Sequence, residues 1–91
     1  MKTSAHLIIS GKVQGVWFRA STKQKAEQLG IAGWVKNTDN GRVEALIEGD
    51  EKQIQDMIKW CHQGPPLSRV KKVEVKNIDS TNGFNGFEIK Y

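Results

Sequence analysis

The sequence lacks the features that would crosslink the chain or anchor it in a membrane. It contains one cysteine, Cys61, so no disulfide can form within the chain, and this is typical of proteins in a reducing cytoplasm. No uninterrupted run of apolar residues is longer than three, the length of the run from Leu7 to Ile9. A run this short excludes a membrane-spanning helix and the apolar core of a signal peptide. We therefore expect a cytoplasmic protein.

Length and apolar content fit a single folded domain. The chain has 91 residues, and a division into two domains would leave neither with enough interior. Phe, Leu, Ile and Val account for 22 of the 91 residues. This share exceeds the roughly 20% below which chains tend to stay disordered. We expect one domain, residues 1–91, built around a small core.

The positive charge of the chain is concentrated in one region. The formal net charge is +4, and residues 12–36 hold five basic side chains against one acidic side chain, Glu27. Basic and acidic residues balance in the remainder of the chain. A focused positive region favours an anionic ligand, although the lysine-rich, solvated face of a helix would give the same composition.

Local sequence patterns predict five strands and two helices. Alternating apolar residues between turn signals indicate strands, and apolar residues at helical spacing followed by glycine indicate helices. The predicted strands cover residues 5–12, 31–38, 42–48, 70–79 and 84–91, and the predicted helices cover residues 18–29 and 51–63. This order predicts an α+β fold, a ferredoxin-like βαββαβ sandwich. It has two helices on one face of an antiparallel sheet and an extra C-terminal strand.

The turn between the first strand and the first helix is suited to phosphate. Residues Gly11 to Arg19 have the sequence G-K-V-Q-G-V-W-F-R. Such a turn presents several backbone N–H groups at a helix start, and Arg19 offers a fork of donors that matches two phosphate oxygens. Gly15 gives access to positive φ and leaves room for a ligand. The turn is not a Walker A loop, and many such turns carry a glycine and an arginine for structural reasons.

The same turn lacks the side chains of a phosphatase that forms a covalent intermediate. Phosphatases with a cysteine nucleophile place it six residues before the arginine, and Val13 occupies that position here. The turn contains no serine or aspartate in its place, and no histidine or carboxylate to act as a base. Water would then attack phosphorus directly, and the leaving group would depart unaided, as a carboxylate with a conjugate-acid pKa of roughly 4–5 can. This favours an acyl phosphate substrate.

A second candidate side chain, Asn37, lies where the second strand ends. It belongs to the segment G-W-V-K-N-T-D-N-G-R-V, from Gly33 to Val43. In the predicted topology the first two strands are parallel, so Arg19 and Asn37 lie at one edge of the sheet. An asparagine cannot deprotonate water but can orient it, and phosphoryl transfer depends more on positioning than on a strong base. The alternative is an asparagine that satisfies backbone groups beside a hairpin turn.

The first motif, and the second one continued through E-A-L-I-E-G to Gly49, resemble those of the acylphosphatase family, and the resemblance extends from Ala5 to Tyr91. It implies that Arg19 binds phosphate and that Asn37 orients the attacking water. It also implies hydrolysis of carboxyl-phosphate bonds without a metal or cofactor, on a ferredoxin-like fold. The implied phosphate cradle consists of the backbone amides of Gln14, Gly15, Val16, Trp17, Phe18 and Arg19.

Acylphosphatase-like domains also occur within larger hydrogenase-maturation proteins. Because this chain ends after one domain, we expect a free-standing enzyme, and nothing in the sequence requires more than a monomer. The expected partners are a small acyl phosphate as substrate and inorganic phosphate as product and competitive inhibitor. We expect no nucleic acid and no membrane as partners.

The main rival interpretation is an RNA-binding module. The same order of strands and helices serves RNA-recognition domains, the chain is basic, and the C-terminal segment G-F-N-G-F-E-I-K-Y resembles their aromatic strand motif. That motif belongs on the third of four strands, whereas here it falls on the last one. The basic excess also lies on the turn and the first helix rather than across a sheet face. These two differences favour the enzyme.

Four further residues carry individual expectations. Cys61 lies on the apolar stripe of the second helix and is expected to be a buried structural thiol, and His6 has no partner at metal-ligand spacing. Trp17 either packs in the core or forms a wall of the acyl-binding pocket. The Tyr91 carboxylate is expected to approach Arg19 and hold its side chain ready for phosphate, the alternative being a frayed chain end.

Overall fold

The computed structural model describes residues 2–79 and 83–90, which contain five strands and two helices. These are β1 (Lys2–Lys12), α1 (Phe18–Leu29), β2 (Ala32–Asn37), β3 (Val43–Asp50), α2 (Glu51–Gln63), β4 (Arg69–Ile78) and β5 (Phe87–Ile89). Tyr91 and most of the turn predicted at Ser80–Gly83 lie outside the described residues. The expected contact between Tyr91 and Arg19 therefore stays a prediction.

The sheet has the order β4-β1-β3-β2-β5. β3 lies between β1 and β2 and is antiparallel to both, so β1 and β2 run in the same direction and end at the same edge. The register shows that these two ends lie side by side across β3, because Ile9 of β1 and Asn37 of β2 both pair with Val43 of β3. With strands spaced by about 4.8 Å, the ends of β1 and β2 are separated by roughly 10 Å. The predicted sharing of one edge is confirmed.

The fifth strand differs from the prediction in its pairing and in its length. β5 pairs with β2 in parallel, with Gly33 opposite Phe87 and Val35 opposite Ile89, so the sheet is mixed rather than wholly antiparallel. It covers Phe87–Ile89 instead of 84–91. β4 and β5 lie at opposite edges of the sheet.

The core lies between one face of the sheet and the two helices. Alternate positions of the central strands are buried, and so are the inner residues of both helices, in agreement with the predicted sandwich. The largest of these side chains are those of Phe18, Leu7, Ile9, Ile47 and Met57. Cys61 is completely buried among them, and burial raises the pKa of its thiol to about 12, so the thiol is protonated at neutral pH. This confirms a structural rather than a reactive cysteine.

Within the described residues, neither helix has the length and apolar content that are needed to cross a bilayer.

Candidate active site

The turn between β1 and α1 has an unusual backbone. Gly15 has a φ of 74°, and Trp17, the residue before the first helical position, has a φ of 66° and a left-handed conformation. The Trp17 carbonyl accepts a hydrogen bond of 3.0 Å from the Ser21 amide, which starts the helix directly after the turn. A Cβ added to Gly15 would meet nothing within 4 Å, so the positive φ, rather than crowding by protein atoms, is what favours glycine there.

The backbone amides of this turn are available to a ligand. The first N–H groups of a helix have no partner within the helix. In the part of the chain that the structure describes, no hydrogen bond is donated by the amides of residues 14–18. Together with the positive end of the helix dipole, these donors form a setting that attracts an anion.

Arg19 and Asn37 line one cavity of about 270 Å³, although they belong to different elements. The remaining lining residues are Val13, Gly15, Trp17, Phe18, Ala20 and Ile89. The sequence therefore identified two side chains that the fold brings together, and the shared edge of β1 and β2 is the reason. The walls are apolar, and the two polar side chains are the predicted ones.

The Asn37 side chain has a carbonyl oxygen that the protein does not use. Its Oδ1 is buried and has no hydrogen-bond partner among the described residues. The adjacent turn satisfies its own backbone groups, because the Arg42 amide donates to Thr38 Oγ1 at 3.0 Å and the Thr38 amide donates to the Arg42 carbonyl at 2.8 Å. This argues against the interpretation of Asn37 as a residue that only satisfies the turn, and it leaves Oδ1 to accept a hydrogen bond from a ligand or water.

A side-chain role of Gln14 was missed by the sequence analysis, which gave this residue only a backbone amide. Gln14 Nε2 donates hydrogen bonds to the carbonyls of Thr38 and Arg42, both at 2.8 Å. These bonds connect the β1–α1 turn, which precedes Arg19, to the β2–β3 turn, which follows Asn37. The acceptors lie 24 and 28 residues away in sequence, so no local pattern could have indicated the contact.

We expect Gln14→Ala to weaken both the fold and the positioning of the two turns. Loss of two hydrogen bonds should lower the free energy of unfolding by about 1–2 kcal/mol, and kcat should fall more than phosphate affinity. Urea unfolding and steady-state hydrolysis of acetyl phosphate measure the two effects. Gln24→Ala, on the exposed face of α1, is the matched control and should change stability by less than about 0.5 kcal/mol. Equal stability and kcat for Gln14→Ala and Gln24→Ala would contradict this role.

The basic region of the sequence divides between the site and the solvated surface. Arg19 is the one of its five basic residues that lines the cavity. Lys23 forms an exposed pair with Glu27 at 3.2 Å, and Lys36 lies 3.6 Å from Glu44. Part of the charge excess, at Arg19, therefore lies where an anionic ligand could bind, and part of it, at Lys23 and Lys36, lies in ion pairs of the solvated surface.

The remaining candidates for chemistry have other partners. His6 Nε2 lies 2.7 Å from Glu44 Oε2. Among the described residues, no group of three or more His, Cys, Asp or Glu could hold a metal ion. Phe87, in the segment that resembles an RNA-binding motif, is 6% exposed and faces the core, so it cannot stack on a base.

Trp17 does not pack in the core. Its side chain is 76% exposed, whereas Trp60 packs against Phe18 with ring centroids 5.7 Å apart. Among the described residues, Trp17 is the one non-glycine residue with positive φ, a conformation that costs a bulky residue about 1–3 kcal/mol. The structure therefore excludes core packing and leaves Trp17 at the cavity.

Comparisons with known proteins identify the family of this chain. The family model described as Acylphosphatase matches residues 5–89. An acylphosphatase of Syntrophobacter fumaroxidans is 50% identical over 90 residues, which cover 99% of this chain and 93% of the relative. One of Thermococcus kodakarensis is 50% identical over 88 residues, covering 97% and 96%. The crystal structure of acylphosphatase from Bacillus subtilis superposes with a TM-score of 0.94 at 40% identity, with both chains fully covered. In sequence and in fold, the chain belongs to the acylphosphatase family.

Proposed function

We propose that this chain hydrolyses the carboxyl-phosphate bond of small acyl phosphates to a carboxylate and inorganic phosphate by direct attack of water on phosphorus. One observation carries the proposal: the side chains of Arg19 and Asn37 line one cavity at the start of α1, and the Asn37 Oδ1 has no hydrogen-bond partner among the described residues. The family supports the overall reaction, and the residues of the cavity support the mechanism.

Arg19 and the backbone amides of residues 14–19 hold the phosphoryl group. The guanidinium can donate two parallel hydrogen bonds to phosphate oxygens, and the amides and helix dipole add further positive potential. Charge spreads over the three equatorial oxygens as the phosphoryl group transfers, so donors that are already in place stabilise the transition state. These groups supply the positive charge from the protein itself, without a metal.

Asn37 orients the attacking water. Its buried Oδ1 accepts a hydrogen bond from the water and points the lone pair of the water at phosphorus. An amide is not a base, but a loose phosphoryl-transfer transition state needs little deprotonation of the nucleophile, so most of the gain comes from position. The carbonyl oxygen without a protein partner is the group that this role requires.

The chemistry of the lining side chains argues against a phosphoenzyme and against acid catalysis. None of the described residues that line the cavity carries a hydroxyl, thiol, carboxylate or imidazole. A nucleophile for a covalent intermediate and a general acid for the leaving group are therefore both missing from the walls. A carboxylate leaves without protonation at neutral pH, whereas the alkoxide of an ordinary phosphate ester does not.

The test is hydrolysis of acetyl phosphate by the purified protein in EDTA and in water enriched in oxygen-18. We expect release of inorganic phosphate that contains one heavy oxygen, and no heavy oxygen in acetate. Acid quenching during turnover of radiolabelled acetyl phosphate should leave no label on the protein. Absence of hydrolysis would reject the activity, heavy oxygen in acetate would reject attack at phosphorus, and labelled protein would reject direct attack by water.

The oligomeric state, the location and the inhibition of the enzyme follow from the same considerations. We propose that the chain acts as a single-domain monomer in the cytoplasm, where one cysteine without a disulfide partner stays reduced. Inorganic phosphate should compete with substrate, because it presents the same oxygens to Arg19 and the amides. No nucleic acid or membrane is required by this chemistry.

A further inference from the structure

We propose that Trp17 selects the acyl group of the substrate and gives the enzyme a preference for flat, aromatic acyl phosphates over acetyl phosphate. The proposal rests on the proposed function, since it concerns the part of the substrate that Arg19 does not hold.

Trp17 contributes little to the structure around it. The indole is 76% exposed, and Trp17 precedes the first turn of α1 without any side-chain hydrogen bond to the helix, which an indole without an acceptor oxygen cannot make. Its φ of 66° is unfavourable for a bulky residue and is well tolerated by glycine or asparagine. The position thus holds a residue that is unsuited to its backbone and absent from the core.

The position of Trp17 at the cavity allows its side chain to contact the acyl group of a bound substrate. Trp17 lines the same cavity as Arg19 and Asn37, next to the apolar side chains of Val13 and Ile89. When the phosphoryl group is bound at Arg19, the attached acyl group must extend along the remaining walls, which are apolar. A volume of about 270 Å³ accommodates a small group rather than a long chain.

An aromatic acyl group matches these walls better than an acetyl group does. A ring can lie against the exposed indole in an offset or edge-to-face arrangement and bury apolar area that a methyl group lacks. This contact forms on binding and persists in the transition state, because the acyl group is not the reacting centre. The indole of Trp17 should therefore discriminate between acyl groups mainly through KM.

The experiment compares the unmodified protein with Trp17→Asn and Trp17→Phe, using benzoyl phosphate and acetyl phosphate as substrates. Asparagine accepts positive φ more readily than tryptophan, so Trp17→Asn should fold at least as stably as the unmodified protein. Leu67→Asn is the matched control, since it removes another exposed apolar side chain, 65% exposed and outside the cavity.

In Trp17→Asn we expect the ratio of kcat/KM for benzoyl phosphate to kcat/KM for acetyl phosphate to fall about tenfold, through KM. Trp17→Phe should keep most of the ratio, and Leu67→Asn should keep all of it. Calorimetric binding of phenylphosphonate should weaken in Trp17→Asn by a larger factor than binding of methylphosphonate, so that the ratio of the two affinities falls.

Two outcomes would separate this proposal from the proposed function. Hydrolysis of both substrates with an unchanged ratio in Trp17→Asn, or an equal loss for both substrates, would overturn the role of Trp17 alone. If the unmodified protein hydrolysed neither substrate, the proposed function would be overturned and the role of Trp17 with it.

Discussion

Arg19→Ala is expected to lose both affinity for phosphate and turnover. Arg19 is the one cationic side chain among the described residues of the cavity, and the substrate presents a phosphate dianion to it. Removal of a single preorganised donor costs about 10²–10³ in rate, and loss of a charged, bidentate group should reach at least this range in kcat/KM. Steady-state hydrolysis of acetyl phosphate, with the inhibition constant of inorganic phosphate measured in parallel, tests both losses.

Two companion variants separate the geometry of Arg19 from its charge. Arg19→Lys keeps the charge but cannot reproduce the fork of donors, so it should recover little activity. Lys23→Ala, one turn further along α1, removes the same charge from an exposed pair with Glu27 and should change kcat/KM by less than about twofold. Comparable phosphate inhibition constants for the unmodified protein and Arg19→Ala would refute the assignment.

Features set by local signals could be predicted from the sequence. The helix α1 has the predicted bounds because Gly30 ends it in a left-handed conformation, with a φ of 71° that favours glycine. The proximity of Arg19 and Asn37 also followed, since it needs only the order of elements and the direction of β1 and β2. The burial of Cys61 followed from the helical spacing of its apolar neighbours.

Features set by contacts between distant segments could not be predicted. An alternating sequence pattern predicts a strand but not its partner or its exact length. The parallel pairing and the short length of β5 could therefore not be predicted, because both depend on the position of β5 beside β2 in the sheet. The bonds from Gln14 to the β2–β3 turn depend on two loops meeting across the sheet edge. The exposure of Trp17 could not be predicted either. Its neighbours Val16 and Phe18 are both apolar and both buried, so the sequence does not indicate that Trp17 is the exposed one of the three.

Asn37→Ala is expected to abolish most turnover while phosphate binding stays nearly intact. Arg19 and the turn amides remain to hold the phosphoryl group, so the inhibition constant of inorganic phosphate should change by less than about twofold. The attacking water loses the acceptor that orients it, and misplacement of a reacting group costs on the order of 10² in rate. We therefore expect kcat to fall by about this factor with little change in KM.

Stability distinguishes this catalytic role from a structural one. The Asn37 Oδ1 is buried without a partner among the described residues, and such an oxygen costs free energy in the folded state. Its removal should leave the free energy of unfolding unchanged or raise it by up to about 1 kcal/mol. Asn40→Ala, in the turn that follows Asn37, is the matched control and should keep kcat within about threefold, because Asn40 does not line the cavity. A fully active Asn37→Ala enzyme, or one that lost activity only in proportion to lost stability, would show that Asn37 does not position the water.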